Sequence, residues 1–358
     1  MVEHWPIFDR LPTSTPEDPN VLHPAFDILR VRYGQHVVPV AVPGEEGGLD
    51  GAGCGRTEMP LADAIQLMHA RKARGLDQDP TSPGIYVKDW HLFRLERLRR
   101  HELSSRASDA SAAGSVYEPP PLFRDDWMNN LPRPDSDDFA FCYAGSCGSA
   151  TGLHRDVYTS YSWSTNVVGR KRWRLFPPHC AAKLRRFPNV RTSELASNCD
   201  ELDAQYKSGL LGPVANGKLG WPEWAEARAQ ACEIFQEPGE TIFVPSNWYH
   251  EVLNITDCIS INHNWCNSYN LESMFRSMVE EVEDVSSSLE DVRMMLETGG
   301  DKTWQVEWVK IVQDVARQDA GWAWEGFFNM VELNLTVPPA EQNGSVTMLQ
   351  HVSRESQL

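Results

Sequence analysis

The sequence predicts a mainly β core with α additions: N-terminal α/β elements precede the core and helices follow it. Three observations point there. Between Asp138 and Trp265, short segments alternate polar and apolar residues with period two and are separated by turns such as "EPGE". Upstream, strand-like and helix-like stretches are mixed. Downstream of Asn270 the apolar residues recur at helical spacing. The expected division is N-terminal α/β elements over 1–125, a β core over 126–268, and a C-terminal helical region with a tail over 269–358.

Taken in order, "HVVPVAV" at 36–42 is a short apolar run between turn-rich segments. "PLADAIQLMHARKA", 60–73, has helical spacing, with Leu61, Ile65, Leu67 and Met68 toward a core. "GIYVKDWHLFRLERLRR" reads as a strand running into a basic helix, and the Ser/Ala-rich stretch 104–121 as a surface loop. In 160–167, Ser160, Ser162, Ser164 and Asn166 alternate with Tyr161, Trp163 and Val167, which puts the two sets on opposite faces. "EIFQ", "TIFVP", "YHEVLN" and "CISINHNW" are further short strands, and so many with Pro/Gly turns argue for an antiparallel sandwich or barrel.

From Leu271 to Leu296 the apolar residues are spaced 4-3-4-3-4-3-4, a heptad seam stopped by Gly299-Gly300. Two shorter helices, 302–318 and 322–336, follow. The seam has two readings: packing on the protein's own barrel or helices, or a homodimer through the C-terminal helices.

Hydrophobic residues at 41% and charged residues at 23% describe an ordinary globular chain. No run approaches the roughly 18 apolar residues of a membrane span. The N-terminus "MVEHWPIFDR" lacks signal-peptide features, so a cytoplasmic location is expected, with nuclear access left open. Eight cysteines without a C-x-x-C pair point to reduced, mostly buried thiols. A net charge of -17 argues against nucleic acid as the main ligand and suits a basic protein partner.

His154-Arg155-Asp156 is an H-x-D at a strand end, whose outer residues project to one side and can share a metal ion. His250 follows a tight turn 94 residues beyond Asp156. Two histidines and one carboxylate form the facial arrangement of non-haem Fe(II) oxygenases, which leaves positions open for co-substrate and O2. Zinc hydrolases more often use three histidines or a helical H-E-x-x-H, so iron is the expected metal.

The stretch "GRKRWRLFPP" looks like a nucleic-acid patch. As a strand, however, it sends Arg170, Arg172 and Arg174 outward and places Lys171 with Trp173 and Leu175 toward the core. A buried ammonium needs an anionic partner. Either an internal carboxylate or a dicarboxylate co-substrate such as 2-oxoglutarate would serve. Thr151 could donate to the same carboxylate, and Ser164 and Asn262 would line the pocket or contact the co-substrate. His263 falls on the apolar face and is expected to be a packed core residue.

Together, "TGLHRD", "GRKRWRLFPP", "PGETIFVPSNWYH" and "ISINHNW" resemble the JmjC class of Fe(II)- and 2-oxoglutarate-dependent oxygenases. Further stretches narrow the resemblance to a lysyl-hydroxylase branch of that class: "YGQHVVPVA", "MPLADAI", "YVKDWHL", "SYSWSTNVVGRKRW" and "ISINHNWCN". The resemblance implies a double-stranded β-helix, a cupin-like jelly roll. It implies His154, Asp156 and His250 as iron ligands and catalytic residues, with Lys171 and Thr151 on the C5 carboxylate of 2-oxoglutarate. It also implies hydroxylation of a lysine in the eukaryotic peptide-chain release factor, which acts in translation termination. Two alternatives stay open here, an N-methyl-lysine demethylase of histones or other proteins and a non-catalytic scaffold.

Overall fold

A computed structural model of the protein describes residues 18, 20–43, 54–104, 117–129, 139–190, 193–210, 220–299 and 302–336. Of the expected loop at 104–121, residues 105–116 lie outside the described residues. Two compact units are present. One comprises 1–118, 140–156 and 162–263; the other comprises 119–139, 157–161 and 264–358. They cut across the boundaries drawn at 126 and 269, since the segments before 119 cluster with the β core.

The first unit is a jelly roll with an N-terminal extension. Eight strands build it: β4 (Ala140–Gly145), β5 (Ala150–Arg155), β6 (Tyr161–Val168), β7 (Lys171–Phe176), β8 (Cys232–Gln236), β9 (Thr241–Val244), β10 (Tyr249–Asn254) and β11 (Cys258–Trp265). They are shared between two sheets, in the orders β4-β11-β6-β9 and β5-β10-β7-β8. Every pairing given for these strands is antiparallel. This alternation of successive strands between facing sheets is the jelly-roll solution to burying one face of each. Three more strands, β1 (Val37–Pro43), β2 (Cys54–Pro60) and β3 (Tyr86–Trp90), extend the first sheet to seven in the order β2-β1-β3-β4.

Helix α1 (Pro24–Tyr33) packs on α2 (Leu61–Ala73), and α3 (Leu92–Ser104) packs on β4. Leu61, Ile65 and Met68 of α2 are buried as their spacing predicts, but Leu67 is exposed. One residue corresponds to about 100° of helical turn, which carries Leu67 off the stripe.

Between the sheets, Trp173 and Leu175 of β7 meet Ile242 and Val244 of β9 and Val252 of β10. The outer side of the four-stranded sheet is covered by α4 (Cys199–Lys207) and α5 (Trp224–Arg228). Their Cys199, Leu202, Trp224 and Ala227 pack with Leu153, Phe176 and Tyr249.

That cover corrects the expectation of three outward arginines. Arg170 is exposed against Glu237, but the Arg172 side chain is only 16% accessible and that of Arg174 only 5%. Arg174 bonds Glu233 at 2.8 Å and Asp200 at 2.6 Å and lies 3.4 Å from Glu251; Asp200 also takes Arg172. The basic run is neutralised within the fold. Gly169, at φ 82°, makes the turn into β7, where a Cβ would lie 2.0 Å from the Asp257 carbonyl oxygen.

In the second unit, α6 (Leu271–Ser288) and α7 (Glu290–Thr298) replace the single uninterrupted seam expected from 271 to 296. The break is at Leu289. Ser287 and Ser288 turn their hydroxyls onto the carbonyls of Glu283 and Val285 at 2.8 Å, a local competition that bends helices. Within the unit the seam packs on its own helices α8 (Trp304–Ala320) and α9 (Trp324–Thr336). Val285 joins Val312 and Ala316, and Phe275 lies 5.4 Å from Trp324. No helix of the described residues is long and apolar enough to cross a membrane.

Arg174→Ala leaves Glu251 buried without its cation, so we expect a loss of about 3 kcal/mol in denaturant unfolding. A loss under about 0.5 kcal/mol would mean the network behaves like exposed surface pairs.

Candidate active site

His154 and His250 are direct cross-strand neighbours on β5 and β10. Their ring centroids are 4.2 Å apart, and Asp156, just past the end of β5, comes within 3.9 Å of His250 Nε2. One ligand atom from each of the three residues lies within 4.8 Å of the others, the one such cluster among the described residues. Neighbours orient each ligand. The Gly152 carbonyl lies 2.9 Å from His154 Nδ1, the Trp248 carbonyl 3.5 Å from His250 Nδ1, and Ser162 donates to Asp156 Oδ2 at 2.7 Å. Occupying Nδ1 leaves Nε2 for a metal, the usual outer support of a metal-binding histidine.

Burial, and then the neighbouring His154, lowers the His250 pKa to about 4, against the pull of Asp156. The ring is therefore neutral at physiological pH, the form that binds a metal. Arg155 reaches across to Asn247 in the turn before β10 at 3.0 Å, which ties the two ligand-bearing segments together. Trp173 stacks near His250 at 5.8 Å and closes its apolar side.

Lys171 is 1% exposed and donates to Ser260 Oγ at 2.7 Å. Among the described residues no carboxylate lies within ion-pair distance of it, so the internal-carboxylate alternative is not realised. Burial lowers its pKa to about 8, offset in part by Cys258 and Cys142. Both thiols are themselves pushed up by burial, Cys258 to about 12, and stay neutral near pH 7. The cation is thus buried against a hydroxyl, with no anion among the described residues.

Thr151 is opposite Val252 on β10. Ser164 donates to Asn262 Oδ1 at 3.0 Å, joining β6 and β11 on the inner face. His263 is 3% exposed, stacks on Trp163 at 4.3 Å and hydrogen-bonds Tyr117; it is a core residue, as its position on the apolar face predicts. Sequence reasoning missed Tyr86 and Tyr143. Their signal lay in the alternation of "AFCYAG" and "IYVKDW", which was not used.

Residues 141–265 match the family model described as "JmjC domain, hydroxylase". The chain is 32% identical over 331 residues to "JmjC domain-containing protein 1" of Schizosaccharomyces pombe, covering 89% of this chain and 63% of that protein. It is 32% identical over 314 residues to "2-oxoglutarate and iron-dependent oxygenase JMJD4" of Homo sapiens, with coverage of 87% and 64%. To "Arginine-specific demethylase JMJ20" of Arabidopsis thaliana it is 34% identical over 230 residues, with coverage of 58% and 42%. The chain spans less than two thirds of the length of each of these relatives.

Two outcomes follow from the geometry. Ser162→Ala should weaken Co(II) or Mn(II) binding about tenfold by freeing Asp156, and His154→Ala by far more, read by metal titration. Only the ammonium form of Lys171 attracts a carboxylate, so an anion seated there raises a pKa that burial has lowered to about 8. Binding of 2-oxoglutarate should therefore take up a proton near and above that pH and weaken as the pH rises through it. Calorimetry in two buffers of unlike ionisation enthalpy checks this; Lys171→Met should abolish the linked proton.

Proposed function

From a chain that contains a JmjC domain resembling that of the 2-oxoglutarate and iron-dependent oxygenases, we propose an Fe(II)- and 2-oxoglutarate-dependent protein hydroxylase. Its substrate in this reading is a lysine of a peptide-chain release factor, met in the cytoplasm. The observation that carries the proposal is Lys171: a buried ammonium with no carboxylate among the described residues within ion-pair distance, in the jelly roll that holds the His154–Asp156–His250 cluster. A dicarboxylate that chelates the metal at one end and meets the ammonium at the other satisfies both.

Bound iron with 2-oxoglutarate and dioxygen supplies an oxidant able to attack an unactivated C–H bond. The chain's own residues do the rest. His154, Asp156 and His250 would hold the metal, a ligand set of two imidazoles and one carboxylate that suits Fe(II). Ser162 and the Gly152 carbonyl fix two of those ligands. Lys171 and Ser260 set the far carboxylate, while Trp173 and the inter-sheet core exclude water from a reactive site.

Two features support hydroxylation of a protein: the acidic net charge suits a basic partner, and relatives carry the oxygenase name. A relative named for arginine demethylation supports a second reading with the same oxidant, differing in which C–H bond is presented.

Purified protein with Fe(II) and ascorbate should convert 2-oxoglutarate to succinate, faster with the release-factor domain present. Mass spectrometry should find one added oxygen on a lysine. Loss of a methyl group from methylated peptides instead would favour demethylation. No turnover with either, under conditions where the metal binds, would sink the enzymatic reading and leave a scaffold.

A further inference from the structure

Beside the groups around Lys171, the inner face of the jelly roll carries a row of aromatic side chains. Phe141 and Tyr143 of β4 are the cross-strand partners of Asn262 and Ser260, so they share the inner face with the groups around Lys171. The rings are 6.2 Å apart and half-buried. Tyr86, 5.8 Å from Tyr143, and His91, 5.0 Å from Phe141, continue the row.

A carboxylate ends this wall. β3 and β4 pair in register at Val87–Ala144, but the next pair is Trp90–Cys142, so Lys88 and Asp89 together oppose Tyr143. A bulge of this kind re-aims a side chain out of the pleat. Asp89 sits at φ 54°, a left-handed conformation that is uncommon outside glycine and found at ligand clamps. The outcome is a carboxylate whose Oδ1 accepts from the Tyr143 hydroxyl at 2.9 Å. Its Oδ2 faces Arg56 Nη2 at 2.9 Å.

Arg56 is an exchangeable occupant. Its side chain is 50% accessible and that of Asp89 34%, and pairs this exposed contribute little.

We propose that Asp89, with Tyr143 and Phe141 beside it, receives the cationic head of the substrate's basic side chain, the incoming ammonium or guanidinium displacing Arg56. The carboxylate supplies a charge-assisted hydrogen bond, and the ring faces supply cation–π attraction and cover for the aliphatic stem. The inference rests on the oxygenase reading and names the specificity-determining residue within it. A methylene chain without charge finds the same wall but leaves Asp89 with Arg56.

The test uses the full chain loaded with Mn(II) and 2-oxoglutarate. The probes are N-acetyl-lysine methylamide and its norleucine counterpart, followed by the paramagnetic broadening of their NMR signals. Wild type should prefer the lysine probe. Asp89→Asn should weaken that probe about tenfold and leave the norleucine probe unchanged, erasing the preference. Arg56→Ala should strengthen binding of the lysine probe, and this exposed substitution keeps the test open if Asp89→Asn misfolds. The same preference in wild type and Asp89→Asn, or a lysine probe that Arg56→Ala does not strengthen, overturns the proposal. Turnover of 2-oxoglutarate by wild type is measured separately, so the subsite and the oxygenase reading can fail independently.

Discussion

An ammonium group held 1% exposed, with no carboxylate partner among the described residues, is the constraint on which the centre of this protein turns. Taking a lone cation out of water is unfavourable by several kcal/mol, as an order of magnitude, unless something compensates it. The Lys171 pocket offers the Ser260 hydroxyl and two neutral thiols, which are too little. β7 must nevertheless hold this position, because its neighbours Trp173 and Leu175 fill the inter-sheet core and Arg174 anchors the opposite face. The rigid sheet therefore keeps a charge waiting for an anion, and that is a binding site stated in electrostatic terms.

The opposite face of the same strand shows the reverse solution. Arg174 is as deeply placed as many core residues, yet three carboxylates from three other elements converge on it. The contrast within one strand separates a structural cation from a functional one: the first is satisfied by the chain itself, and the second is left open. Much the same distinction applies to the histidines, since His263 is enclosed by Trp163 and Tyr117 while His154 and His250 face each other beside Asp156.

Several parts of this arrangement were legible without coordinates. The period-two alternation in 170–175 and 259–265 placed Lys171 inward and His263 in the core. The H-x-D spacing announced a ligand pair because two residues of a strand share one side. The outward arginines and the unbroken seam were misread for one physical reason: a periodicity tells which side a residue faces, not what will later cover that side. Here α4 and β8 bring Asp200 and Glu233 over the arginines. Serine hydroxyls that compete for backbone carbonyls break the seam at Leu289.

Local pattern alone determined an antiparallel sandwich or barrel for the core, the candidate ligands and the direction of the lysine, because strand alternation and ligand chemistry are properties of neighbours along the chain; the jelly roll was implied by the family resemblance. Only the tertiary structure decided that His154 and His250 become cross-strand partners and that Lys171 meets Ser260 and, among the described residues, no carboxylate. Only it, too, sets Asp89 against Tyr143 through a bulge between β3 and β4. Those outcomes depend on register between segments far apart in sequence, and register is set by how the two sheets pack, which no single stretch contains.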